Sequence, residues 1–229
     1  VKTSALHAKA PRQAVSQGLS DMRRLDPGRS ILRTLVLGLF LLGALSVTSA
    51  DDKDDALPFL QGEIQKCESP QMLLKRPHDG WQFVDLEKMR LKAEGLGEDT
   101  KGYRNLRFRL WFGAKRAEVF VWSWIDEENR EQPLTTESFA LIKIEHLKGV
   151  FEKPKLKKPK LVKFGKRPGV FFTIQGTLRE GTKKPHAILC AVCVREEDKT
   201  LAVIQLECDP KHAKTLKKDF LKLLKQTRF

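Results

Sequence analysis

Two stretches read with a strict two-residue period, Leu106–Phe112 (LRFRLWF) and Ala117–Ile125 (AEVFVWSWI), and only Gly113-Ala114-Lys115-Arg116 separates them. Successive side chains of a strand point to opposite faces, so the two stretches are expected to pair as an antiparallel hairpin. With the turn at Ala114-Lys115, one face sets Leu110 opposite Val119 and Phe108 opposite Val121. The other sets Trp111 opposite Glu118, Arg109 opposite Phe120 and Arg107 opposite Trp122. A slip of one residue would scramble both faces, so their joint coherence fixes the register. The first face is expected in the core. The second is an Arg–aromatic ladder (Arg107, Arg109, Trp111, Phe120, Trp122) with Trp124 at its end. A lone hairpin is marginal in water, so the rest of the chain must extend and cover it.

Gly169–Leu178, Ala187–Arg195 and Thr200–Cys208 are further strand-like runs, divided by Arg179-Glu180-Gly181 and by Glu196-Glu197-Asp198-Lys199. They predict an antiparallel meander. A shorter strand follows the turn His78-Asp79-Gly80, with Trp81 and Phe83 on one face. Thr135 or Thr136 caps a helix whose stripe is Ala140, Leu141, Ile144, Leu147 and Phe151, ending near Gly149. Asp209-Pro210 opens a final helix that reaches about Thr227. Its buried side is Ala213, Leu216, Phe220, Leu223 and Leu224, and Lys211, Lys214, Lys218, Lys222 and Lys225 group on another side. Residues 59–74 read as a short helix ending near Ser69-Pro70, 92–105 as a loop, and 153–167 as an extended connector running into a strand at Leu161–Phe164. The fold class is therefore α+β, an antiparallel β-sheet sandwiched by helices.

Thr34–Ala50 is an apolar run preceded by Arg23, Arg24, Arg29 and Arg33 and ending in small residues before Asp51-Asp52. That layout predicts a secretory signal, cleaved after Ala50. The alternative is a retained anchor through 34–50, although a spanning helix needs about 20 apolar residues. Residues 1–21 read as an over-extended start with Met22 opening the signal, 51–72 as an N-terminal extension, and 73–229 as a single domain. The first 50 residues hold seven of the 43 Lys/Arg and two of the 29 Asp/Glu, so the net charge of +14 becomes +9 without them. Positive charge on this scale points to acidic or polyanionic partners, or to a protein partner with an acidic surface. Cys67, Cys190, Cys193 and Cys208 all follow the leader. They are candidates for disulfides in an oxidising compartment, with three connectivities open.

Motifs that carry chemistry are missing. There is no GxSxG, HExxH, phosphate-binding glycine loop or zinc-type Cys/His spacing, so no catalytic residue, metal site or cofactor is assigned. Cys190-Ala-Val-Cys193 spells CxxC, but within a strand its thiols face opposite ways, whereas a redox pair belongs at a helix start. His78, His146, His186 and His212 are scattered, and His146 reads as a boundary residue. Two surfaces remain as candidates. One is the Arg–aromatic ladder, which would stack rings if open and stabilise the sheet if a helix covers it. The other is a basic patch summed from Lys153, Lys155, Lys157, Lys158 and Lys160 with Lys211, Lys214, Lys218, Lys222 and Lys225. It would give salt-sensitive attraction to polyanions if it were more than a solvated face.

The order of elements carries one resemblance. Pro77, Gly80 and Trp81 lead into the first sheet strand. A strand pair and an amphipathic helix follow, then a strand with Gly176 after its run, a two-strand meander, an Asp-Pro corner and a last helix ending in Phe229. From about Leu73 to Phe229 this resembles the PsbP-like family, that of the extrinsic oxygen-evolving photosystem subunit and its bacterial exported relatives. The resemblance implies an exported, non-enzymatic binding or assembly module and no catalytic residue. An extracytoplasmic polyanion-binding protein is the second expectation and an uncharacterised hydrolase the third.

Overall fold

The hairpin takes its place inside an eight-stranded sheet in a computed structural model that describes residues 57–128, 133–180 and 183–229. The strands are β1 (Phe59–Leu60), β2 (Ile64–Glu68), β3 (Gln71–Lys75), β4 (Gln82–Val84), β5 (Leu106–Phe112), β6 (Ala117–Ile125), β7 (Phe151–Phe164), β8 (Arg167–Leu178), β9 (Pro185–Arg195) and β10 (Thr200–Cys208). Among the described residues three α-helices accompany them: α1 (Leu86–Gly95), α2 (Thr136–Val150) and α3 (Pro210–Gln226). The main sheet runs β1-β4-β5-β6-β10-β9-β8-β7, with every neighbouring pair antiparallel. β2 and β3 pair separately. The leader expected at 22–50, its cleavage point and residues 1–21 lie outside the described residues. No helix among the described residues is long and apolar enough to cross a membrane.

Each sheet face has its own apolar layer. On one, Phe108, Leu110, Val119, Val121, Leu189, Ile204 and Leu206 meet Leu216, Phe220, Leu223 and Leu224 of α3, with Met72 and Leu74 of β3. On the other, Trp122, Phe172, Ile188, Val192 and Val203 meet Phe139, Ala140, Ile144 and Leu147 of α2. The expected sandwich is thus observed, and each long helix is tied down by its stripe. Burying a large apolar side chain is worth about 1.5–3 kcal/mol, so the four large residues of α3 fix its orientation and leave all its lysines but Lys217 exposed.

Helix starts follow their caps. Asp209 accepts from Lys211 N with Pro210 in the first turn. Thr135 and Ser138 form a reciprocal capping box, and Asp85 accepts from Lys88 N to start α1, a helix the sequence reading lacked.

Two expectations are corrected. Residues 59–74 form strands instead of a helix. Ile64–Glu68 alternates between half-buried and exposed positions, and the chain turns back through a cis Ser69-Pro70 bond so that Met72 and Leu74 enter the core. The connector expected at 153–167 is instead strand from 151 to 164, paired to β8 through its whole length apart from two bulges. Pro154 and Pro159 lie in the bulged intervals of this edge strand, where a missing N–H costs little. Both edges of the sheet are blunt, β1 by being two residues long and β7 by carrying lysines and prolines, which opposes edge-to-edge association.

Candidate functional site

β5 and β6 pair as the alternation requires at four positions: Leu110 with Val119, Phe108 with Val121, Trp111 with Glu118 and Arg109 with Phe120. The fifth differs. A bulge between Leu106 and Phe108 sets Leu106, not Arg107, opposite Trp122, and Arg107 Nε donates to Ser123 O at 3.0 Å. The Arg–aromatic ladder is covered. Phe120 and Trp122 stack at 5.5 Å and are 6% and 4% exposed. Lys143 of α2 places its ammonium 5.6 Å from the Trp122 ring centre, and Trp124 meets Phe139 of α2 edge-on. Phe120 and Trp122 are therefore not open for stacking, and Trp111 and Trp124 are half-buried. Arg109 lies 5.4 Å over Phe120 and donates through Nη2 to both Glu118 oxygens, at 2.8 and 3.0 Å.

Beside these rings lies a buried polar network that the sequence did not bring together. Gln205 Nε2 donates to Glu207 Oε1 at 2.7 Å, and His186 Nε2 lies 3.3 Å from Glu207 Oε2. Glu207 also sits opposite Glu118 across the β10–β6 ladder. Burial pushes the Glu118 carboxyl up, against the pull of Arg109. Burial likewise pushes the Lys143 ammonium down, partly offset by the neighbouring Cys190 sulfur and the Glu207 carboxylate. His146, one turn further along α2, is pushed down to about 4 by burial first and by Lys143 second. Lys143 and Glu207 are buried behind α2, so these groups hold helix to sheet.

His78 has a different partner from the one its sequence neighbour suggests. Asp79 binds Arg76 Nη2 at 2.9 Å, whereas His78 Nε2 lies 3.1 Å from Asp219 Oδ2 on α3. Trp81 Nε1 donates to the same Asp219 oxygen at 3.3 Å, Gly80 N donates to His78 Nδ1 at 3.0 Å, and Lys222 Nζ donates to Pro77 O at 2.7 Å. Both His78 nitrogens are engaged, and the group latches the β3–β4 turn onto α3. The four thiols are free. Cys190 packs on the α2 face and Cys193 on the α3 face, as their spacing in a strand requires, and burial pushes Cys190, Cys193 and Cys208 each up to about 12. Among the described residues no group of three or more His, Cys, Asp or Glu could hold a metal ion.

The lysine segments are brought together. β7 and β8 pair in the series Lys155–Gln175, Lys157–Thr173, Lys160–Phe171 and Val162–Gly169. Between Lys157 and Lys160 three residues of β7 span two of β8, so the bulge returns Lys160 to the face of Lys155 and Lys157. That is the α3 face, because Phe171 and Val162 pack in its apolar layer. Lys217 of α3 places its ammonium 5.1 Å from the Phe171 ring centre, and Gly165 N donates to Leu224 O at 2.7 Å, so α3 runs alongside β7. Lys214 precedes Lys217 by one turn on the same flank. Lys211, Lys218 and Lys225 point outward, and Lys222 is drawn to Pro77. Lys153 sits at the other bulge with φ +48° and Lys158 is exposed. Lys217 was missed in the sequence, although its spacing from Lys214 and Leu221 was the available signal.

No known protein family and no curated protein matches the chain. Among solved structures, the fold is similar to cyanobacterial PsbP (CyanoP) from Synechocystis sp. PCC 6803. The TM-score is 0.45 and the identity 11%, over 79% of this chain and 98% of that one. It is also similar to the Ran-binding protein Mog1p of Saccharomyces cerevisiae, with a TM-score of 0.45 and 9% identity over 74% of this chain and 95% of that one. Both are weak likenesses of fold alone.

Proposed function

We propose that this domain is a non-enzymatic binding module that acts after export and takes polyanionic partners. The observation that carries the proposal is the gathering of Lys155, Lys157, Lys160, Lys214 and Lys217 along one side of the α3 face. None of them forms a salt bridge among the described residues. Edge protection accounts for lysines on β7, but it requires neither their alignment on one face by a bulge nor more lysines beside them on α3. Unpaired cations on a rigid scaffold lower the free energy of a polyanion chiefly by releasing its counterions. The non-enzymatic part is supported by the way His78 is held in a turn by Asp219 of α3 and Gly80 N, and Lys143 is buried between α2 and the sheet. Export is supported by the basic flank, apolar run and small residues of the leader.

Chromatography of the full chain on immobilised heparin tests the reading. Retention at low salt with elution by moderate salt is expected, and passage in the void volume at low salt overturns it.

A further inference from the structure

We infer that the site is a trough between β7 and α3 that holds one sulfated glycan chain lying along β7. This rests on the polyanion reading above and narrows it to one place and one class of polymer. The rim on one side is Lys155, Lys157 and Lys160, all exposed, and on the other Lys214 and Lys217. The floor between them is β8. Thr173 there is 6% exposed and Gln175 half-buried, so the rims stand above the floor. Residues two apart on a strand recur every 6.6 Å or so on one face, which makes Lys155 and Lys157 the start of a line of cations, and the bulge keeps Lys160 in that line. A linear charged chain matches such a row, whereas a flat anionic membrane would meet the rims alone.

The chemistry of the floor decides the class. Gln175 and Thr177, both half-buried with part of their surface open, offer neutral amide and hydroxyl groups suited to sugar hydroxyls and sulfate oxygens. Phe171, the one aromatic ring along the row, is buried under Lys217 and is not available to stack a base. Single-stranded nucleic acid depends on such platforms. Glu152, which continues the same face beyond Lys155 and pairs with Thr177, brings an opposing charge and marks the end of the track.

The test measures salt-dependent binding of a heparin oligosaccharide to the full chain and to two triple variants of equal charge loss. One is K155Q/K157Q/K160Q in the trough; the other is K211Q/K218Q/K225Q on the outer side of α3. Circular dichroism melts verify that both are folded. For a single-stranded polyanion the salt slope falls by about 0.7 per lost contact, or roughly 2 for three, which is roughly a hundredfold in affinity at about 0.1 M salt. The trough variant is expected to show this loss while the outer variant keeps its slope within about 0.5 of the parent. Equal losses in both variants overturn the trough while leaving the polyanion reading standing. Tighter binding of a mixed-sequence single-stranded oligonucleotide, or of vesicles rich in anionic lipid, overturns the glycan assignment. No binding of any of the three probes by the parent overturns both readings.

Discussion

His146 gives the buried network a measurable pH signature. Its ring lies half-buried on α2 with a proton affinity lowered from 6.5 to about 4, by burial first and the Lys143 ammonium second. The unfolded chain therefore holds more protons than the folded one between those two values. Stability from this residue is complete above pH 6.5 and is lost as pH falls towards 4. At about 1.36 kcal/mol per pH unit the span would be worth about 3 kcal/mol for a fully buried ring. Solvent screening of the exposed edge roughly halves this, to about 1.5 kcal/mol. Urea unfolding followed by tryptophan fluorescence, at several pH values from 7.5 to 4, compares the parent with H146Q, in which the amide stays neutral. The parent is expected to lose about 1.5 kcal/mol relative to H146Q across that range. Parallel curves for the two proteins, or a His146 NMR titration centred near 6.5, would refute the reasoning. K143M supplies an internal control, because removing the neighbouring ammonium should move the His146 midpoint upward without returning it fully to 6.5.

Two further predictions concern stability. R109M strands the Glu118 carboxylate at a site where the pair is mostly shielded, with side chains 16% and 22% exposed, and should cost about 2–3 kcal/mol. Adding E118Q should recover part of that cost, and denaturant midpoints of the single and double variants show whether it does. Gly165 closes the β7–β8 turn at φ +63°, and a β-carbon there would press on the carbonyl oxygen of Thr227. G165A should therefore destabilise by about 2–3 kcal/mol, read from the same midpoints, through left-handed strain and the displaced end of α3.

How far the sequence reaches depends on whether a signal is local. The β5–β6 register was legible because two alternating stretches lie a turn apart and each face checks the other. The bulge at Arg107 was not, since it depends on Ser123 O accepting the guanidinium across the strand pair. α2 and α3 announced themselves through caps and stripes. α1 did not, because it buries only Ala93 and shows little periodicity. The β7 segment misled through its prolines and lysines, which oppose an interior strand and suit an edge, and only the sheet order shows which it is. The basic patch was half legible. Its lysines could be counted, but their alignment depends on a bulge and on where α3 comes to rest.

By itself, then, the sequence determined the α+β class, the hairpin register, the meander, the two capped helices and an excess of positive charge, each encoded within a few turns or strands of contiguous chain. Tertiary structure alone decided which charges act together. It buried Trp122 against Lys143 of α2, shielded Arg109 with Glu118 and Phe120, and set Lys217 and Lys214 beside the β7 row. Electrostatic interaction depends on distance through space and on exclusion of water, and neither quantity is written in the order of residues.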